Sequence, residues 1–177
     1  ARVTTIMAIL KLNNTTVLTE TNGVASIPST VKFPAGHVIK KHYVEYNSQY
    51  QDLNCLNNLI YLNFQLDINP VSENSKFFII ANINAAAAMQ HNYLTLRLYQ
   101  TSPVNILLRG VQPMSFSYPY TFPTIMTYHH TPNTNNLITY KIGYIDTNND
   151  SGDLYINQYN TNSIVQTTSI NVFEFAS

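Results

Sequence analysis

At 177 residues, with nine basic and nine acidic side chains and only 10% charged residues, the chain has no net charge to draw it to nucleic acid or to an anionic membrane surface. One cysteine, Cys55, excludes an internal disulfide and any zinc site built on several thiolates. With 45% hydrophobic and 12% aromatic residues the chain can bury a core of its own, as one domain with a small extension.

The opening Ala1-Arg2-Val3-Thr4 lacks a charged segment followed by an apolar one, and no methionine begins it. A fragment of a longer chain or a processed N-terminus is the expectation. The apolar runs are too short to cross a membrane as a helix, so no membrane insertion is expected.

Residues 4–12 (TTIMAILKL) and 15–19 (TTVLT) read as two strands joined by Asn13-Asn14, and residues 24–27 as a third after Asn22-Gly23. Pro28, Pro34 and Gly36 then mark a connector, so residues 1–36 form a β extension and residues 37–177 the main domain. Residues 37–46 (HVIKKHYVEY) have no purely apolar face and read as an edge or interface strand. Residues 47–58 are polar and read as a loop. In residues 59–69, Leu62, Phe64, Leu66 and Ile68 alternate with Asn63, Gln65, Asp67 and Asn69, the signature of a half-buried antiparallel strand. Residues 76–84 (KFFIIANIN) are almost continuously apolar, which predicts cover on both faces. Residues 85–89 (AAAAM) favour a helix by propensity but are too few to hold one, so a strand of small residues beside another backbone is preferred.

Residues 93–99 alternate again, with Leu94, Leu96 and Leu98 toward the core, and residues 104–109 are short and apolar. Residues 110–124 form a long segment rich in Pro, Ser and aromatics, continued by residues 125–130. Residues 137–144, 154–159 and 170–176 read as three further strands, and a terminal strand this apolar must be buried. Many short strands with Pro, Asn and Gly turns and no amphipathic helical window predict an all-β sandwich or barrel.

Residues 146–153 (DTNNDSGD) place oxygen ligands at alternating positions, like the front of a calcium loop, with Asp146, Asn148, Asp150 and Asp153 as candidate ligands. Ser151 stands where the turn glycine should be and Asn157 where a bidentate Glu would be, so a polar hairpin loop is the preferred reading. His129 and His130 are adjacent, and on a strand they face opposite ways, so they chelate one ion poorly. Neither a nucleophile motif nor a Gly-rich phosphate loop is present, and no cofactor is expected. Asp67, Asp146, Asp150 and Glu174 leave a glycosidase pair open without singling one out. Phe116, Tyr118, Tyr120 and Phe122 offer rings for stacking on sugars or proteins, unless they cap the core beneath a long loop.

Several segments, in order, carry a resemblance. They are Phe33-Pro34-Ala35-Gly36-His37-Val38-Ile39, the alternating strand of residues 62–70 followed by Ser72 to Phe77, and residues 136–142 (NLITYKI). Residues 154–158 (LYINQ) and 168–176 (TSINVFEFA) complete the set, which spans residues 33–176. It resembles the head domain of fibre and appendage proteins of marine phages and large DNA viruses. The resemblance implies an antiparallel jelly-roll sandwich like that of the complement and tumour-necrosis-factor families, assembled as a trimer on a fibre. It supplies no shared catalytic residues. The long aromatic segment and the alanine run depart from the group's pattern.

Trimerisation also has a basis in the residues. Ile170 and Val172 share one face of the last strand and Phe173 and Phe175 the other, so one face fills the core and the second needs a partner. The expectation is a non-enzymatic fibre head on the virion surface that binds a host receptor, a glycan among the candidates, and contacts other virion proteins. Its receptor-binding candidates are Phe116, Tyr118, Tyr120, Phe122, His129 and His130. The contact loops are expected at the end opposite the N-terminal connector, within residues 47–58, 110–124, 131–136 and 146–153. The alternatives are a purely structural capsid or fibre decoration protein and a carbohydrate-active enzyme on a β scaffold.

Overall fold

The computed structural model describes residues 7–12, 15–21, 24–26, 34–55, 57–88, 94–111, 115–116, 122–146, 152–157 and 166–177. They belong to two compact units, Ala1–His37 and Val38–Ser177.

In the first unit β1 (Met7–Leu12), β2 (Thr15–Thr21) and β3 (Val24–Ser26) form an antiparallel sheet in that order. β-Branched residues in β2 and short polar breaks between strands explain the meander. The unit ends in a tight turn, where the carbonyl of Pro34 accepts from the amide of His37 at 3.2 Å. Gly36 takes φ 85° there, a conformation that a residue with a Cβ adopts only under strain.

Among the described residues the second unit contains eleven strands. They are β4 (Val38–Tyr46), β5 (Tyr50–Cys55), β6 (Ile60–Ile68), β7 (Lys76–Ala88), β8 (Leu94–Ser102) and β9 (Ile106–Val111). After them come β10 (Ser115–Phe116), β11 (Phe122–His130), β12 (Ile138–Asp146), β13 (Gly152–Ile156) and β14 (Thr168–Phe175). The pairs β8·β9, β7·β11, β6·β12, β5·β13 and β4·β14 are all antiparallel and nested about the β8–β9 turn. The chain is therefore one long ribbon doubled back on itself. Rolling the ribbon up joins β14 and β13 to one edge of β7, and β12 to β8. One sheet runs β4-β14-β7-β11, with β13-β5 and β10 on the later part of β7, and the other runs β6-β12-β8-β9. Two sheets made this way are a jelly roll, as expected.

The alternation of side chains sets which face is core. In β6, Leu62, Leu66 and Ile68 are buried while Asn63, Gln65 and Asp67 are exposed. Phe77, Ile79, Ala81, Ile83 and Ala85 of β7, with Ile170 and Val172 beside them in β14, face inward toward Leu96, Leu98, Ile138, Tyr140 and Ile142 of the other sheet, all essentially inaccessible to water. Each large apolar side chain buried this way contributes about 1.5–3 kcal/mol. The alanine run extends β7 rather than forming a helix. Ala85 pairs with Ile156 on one side and Phe122 on the other, and Ala87 with Leu154 and Ser115, so both backbone edges are used. In β12, Gly143 sits at a register shift against β6. A Cβ there would lie 3.0 Å from the carbonyl oxygen of Ile60 and 3.0 Å from a methyl of Leu59, which explains the glycine.

Two expectations need correction. Residues 47–58 are not simply a loop, since Tyr50–Cys55 form β5, paired with β13 across the ribbon. Its polar composition hid it, since among its described side chains Cys55 is the fully buried one. Residues 131–136, expected among the distal turns, lie at the end of the sandwich where β4 begins. β11 runs antiparallel to β7, so His130 lies beside Phe77, and the neighbouring β14 sets Phe175 beside both Lys76 and Val38. This is called the near end. At the far end lie the end of β4 beside the start of β14, the start of β11 beside Ala85, and Asp146 beside Leu94.

Candidate functional site

The two sheets present different outer faces. On the β6-β12-β8-β9 sheet the outer face mixes internally bonded polar groups with apolar ones, Leu107 of β9 being 47% exposed beside Tyr99. Asp67 accepts from the Thr139 hydroxyl at 2.6 Å and from the Gln65 amide at 2.8 Å. Lys141 Nζ lies 5.8 Å from the Tyr61 ring, which packs edge-on to Tyr99 with centroids 5.5 Å apart.

The outer face of the β4-β14-β7-β11 sheet is aromatic. Register aligns Lys41, Phe173, Phe78 and His129 in one row across the four strands, with Tyr43, Asn171, Ile80 and Thr127 in the next. His129 stacks on Phe78 at 4.8 Å between ring centres. Lys41 Nζ stands 5.2 Å from the Tyr43 ring and 5.9 Å from the Phe173 ring. Phe173 and Phe175 are half-buried on this side, while Ile170 and Val172 are fully buried on the other. Tyr43 and Ile125 remain 47% and 61% exposed, so this face offers apolar surface to solvent.

The receptor-binding candidates do not gather in one place. Phe116 in β10 and Phe122 in β11 have their backbones at the far end, beside Ala88 and Ala85. Tyr118 and Tyr120 lie outside the described residues. His129 and His130 end β11 at the near end, seven and eight residues along the strand from Phe122, a run of roughly 25 Å. They do face opposite ways. His129 is exposed on the aromatic face, and His130 turns inward, its Nδ1 2.8 Å from the Tyr140 hydroxyl. Burial lowers the pKa of His130 below the usual histidine value and raises that of the Tyr140 phenol, whose rise the Glu174 charge adds to.

Of the candidate calcium ligands, Asn148 and Asp150 lie outside the described residues. Asp146 is fully buried at the end of β12, and Asp153 is half-buried in β13. Among the described residues no three His, Cys, Asp or Glu side chains converge as a metal-ligand group. The carboxylates weighed for glycoside hydrolysis are dispersed. Asp67 is on an outer face near the start of β12, Asp146 at its other end, and Glu174 buried in the core near the start of β4.

Each end of the sandwich holds a buried polar cluster that sequence reading missed. At the near end Glu174 accepts from the Val71 amide and the Ser75 hydroxyl, both at 2.6 Å, and meets His42 Nε2 at 2.9 Å. At the far end Asn157, at φ 55°, donates to the carbonyls of Tyr46 (2.7 Å) and Ser48 (3.2 Å) and accepts from Thr168 at 2.9 Å. Also there, the Tyr144 hydroxyl bonds Asp52 at 2.6 Å and meets the Tyr50 hydroxyl. Every contact in these clusters is internal, and they fasten strands and turns together.

No family model matches the chain, and no curated protein matches it. Among solved structures it is similar to the infectious bursal disease virus VP2 subviral particle, at 13% identity and a TM-score of 0.39 over 96% of this chain. It is also similar to the structure of the Gx strain of that virus, at 12% identity and a TM-score of 0.37 over 90% of this chain. The chain spans 46% of the length of each.

Proposed function

We propose that this protein is a non-enzymatic structural module of a virus particle, a jelly roll that trimerises and presents its far end to a host-surface ligand. The observation that carries the reading is the set of aromatic and aliphatic side chains that register gathers on the outer face of the β4-β14-β7-β11 sheet. A sheet face bearing Phe78, Phe173, Phe175, Tyr43 and Ile125 is unfavourable in water unless covered, and a symmetric partner covers it without a second gene product. The sequence resemblance to trimeric viral fibre heads points the same way, and the neutral, amide- and hydroxyl-rich composition suits glycan or shell contacts.

In this reading Phe173 and Phe175 contact neighbouring subunits, and the aromatic segment holding Phe116, Tyr118, Tyr120 and Phe122 makes the receptor contact. Three copies of a weak site act together by avidity. His129 is assigned to the trimer side of the molecule, because it stacks on Phe78 in the same aromatic row as Phe173, whereas His130 turns inward to Tyr140.

Light scattering on the full chain tests the assembly. The expected mass is that of three chains, falling to one when Phe173 and Phe175 are both changed to Glu with the β spectrum kept. A wild-type monomer at micromolar concentration overturns the trimer. Glycan-array or host-cell binding, abolished by Tyr118→Ala with Tyr120→Ala, tests attachment. Binding by neither assay leaves a purely structural shell role, and cleavage of a bound glycan would revive the enzyme.

A further inference from the structure

The edge of the same sheet carries a second self-recognition signal, borne by β4. β4 is the last strand of its sheet and pairs only with β14 among the described residues, so one row of its backbone amides and carbonyls faces outward from the sheet. Natural edges of this length, nine residues, are normally blocked by a bulge, a proline or unpaired like charge. β4 contains no proline, and its one register shift is at its beginning, opposite Glu174 and Phe175.

Its charges are arranged differently from a blocked edge. Lys41, Tyr43 and Glu45 all project on the outer face and are exposed. Neither Lys41 nor Glu45 forms an ion pair among the described residues. We propose that β4 pairs antiparallel with β4 of a second copy about a twofold axis at Tyr43, placing Lys41 of each copy opposite Glu45 of the other.

Register follows from geometry. Side chains directly opposite each other share a face, so only pairings centred on a residue, not between two, keep the two outer faces on one side. Centring on His42 sets Lys41 against Tyr43 and leaves Glu45 opposite Ile39. Centring on Val44 sets Tyr43 against Glu45. Centring on Tyr43 alone makes both Lys–Glu pairs at once, stacks the two tyrosines, and uses Lys40 to Tyr46 within the strand. The lysine that would guard the edge against a foreign strand thus becomes its selector, favouring a copy of the same chain. The contact is isologous and closes after two copies, so it is compatible with, and does not need, the threefold contact on the face.

Charge reversal with rescue tests it on the full chain. Sedimentation of the wild type should show even-order species, dimers or pairs of trimers, that weaken as salt rises. Lys41→Glu alone and Glu45→Lys alone each turn two attractions into two repulsions and should raise the dissociation constant of that step on the order of tenfold or more. The Lys41→Glu, Glu45→Lys double variant restores both pairs and should return the constant to within roughly threefold of wild type. Both positions are exposed, so circular dichroism should show an unchanged fold. Wild-type chain with no even-order association, or a double variant no better than the singles, overturns the proposal. Trimers that persist in both single variants leave the face contact standing, and dimers without trimers do the reverse.

Discussion

Glu174 Oε2 lies 2.9 Å from His42 Nε2, with the glutamate side chain wholly inaccessible to water and the imidazole nearly so. The two belong to paired strands, β14 and β4, and the same carboxylate also holds the turn before β7 through Val71 and Ser75. Three donors on one buried carboxylate offset most of its lost hydration, and they fix three separate segments relative to one another.

Removing the charge should therefore cost more than an exposed substitution. Glu174→Gln keeps the volume but offers one acceptor where two were used. The expected loss is about 2–4 kcal/mol, seen as a fall in melting temperature on the order of 10 °C. Gln65→Ala, on the exposed outer face of β6, serves as the surface control and should stay within about 0.5 kcal/mol of wild type.

His130 gives a pH dependence whose sign is fixed. Burial lowers its folded-state pKa below 6.5, so the unfolded chain binds the proton more readily. This group costs no stability above pH 6.5 and lowers it progressively as the pH falls from there toward the folded-state pKa. The drop in melting temperature between about pH 7.5 and about pH 5.5 should be smaller in His130→Gln than in wild type. An equal drop in both would show that other groups set the acid limb.

Cys55 should be inert in the folded protein. It is 1% exposed, and burial, helped by the neighbouring Asp52 charge, pushes the thiol up to about 12. Thiolate is the reactive form, so a disulfide reagent at about pH 8 should label no cysteine in native protein and one per chain in denaturant.

Asn157 joins the end of β13 to β4 and β14, with a backbone bond from its amide to the Asn84 carbonyl at 2.9 Å. Asn157→Ala removes the side-chain donors to Tyr46 and Ser48 and strains a left-handed position. A loss of about 2–4 kcal/mol is expected in urea unfolding. Asn157→Gly, which relieves the backbone but not the lost bonds, should fall between wild type and the alanine variant.

The periodicity of residues 59–69 and 93–99 is enough to place Leu62, Leu66, Leu94, Leu96 and Leu98 in the core, because a two-residue repeat is a local property of one strand. The split of Ile170 and Val172 from Phe173 and Phe175 is legible for the same reason. β5 is not, since its pairing with β13 is between segments far apart in the chain and its composition is polar. Nor can the sequence tell that His129 and His130 end at the opposite end of the sandwich from Phe122, that residues 131–136 share the end where β4 begins, or that Glu174 meets His42 and Ser75.

Alternation along each strand thus determined the all-β class and which side chains face inward. The tertiary structure alone decided what each outer face and each end of the sandwich contains. Facing is set residue by residue, whereas neighbours across a sheet depend on how the doubled ribbon rolls, and the long-range pairs β4·β14, β14·β7 and β12·β8 carry that information.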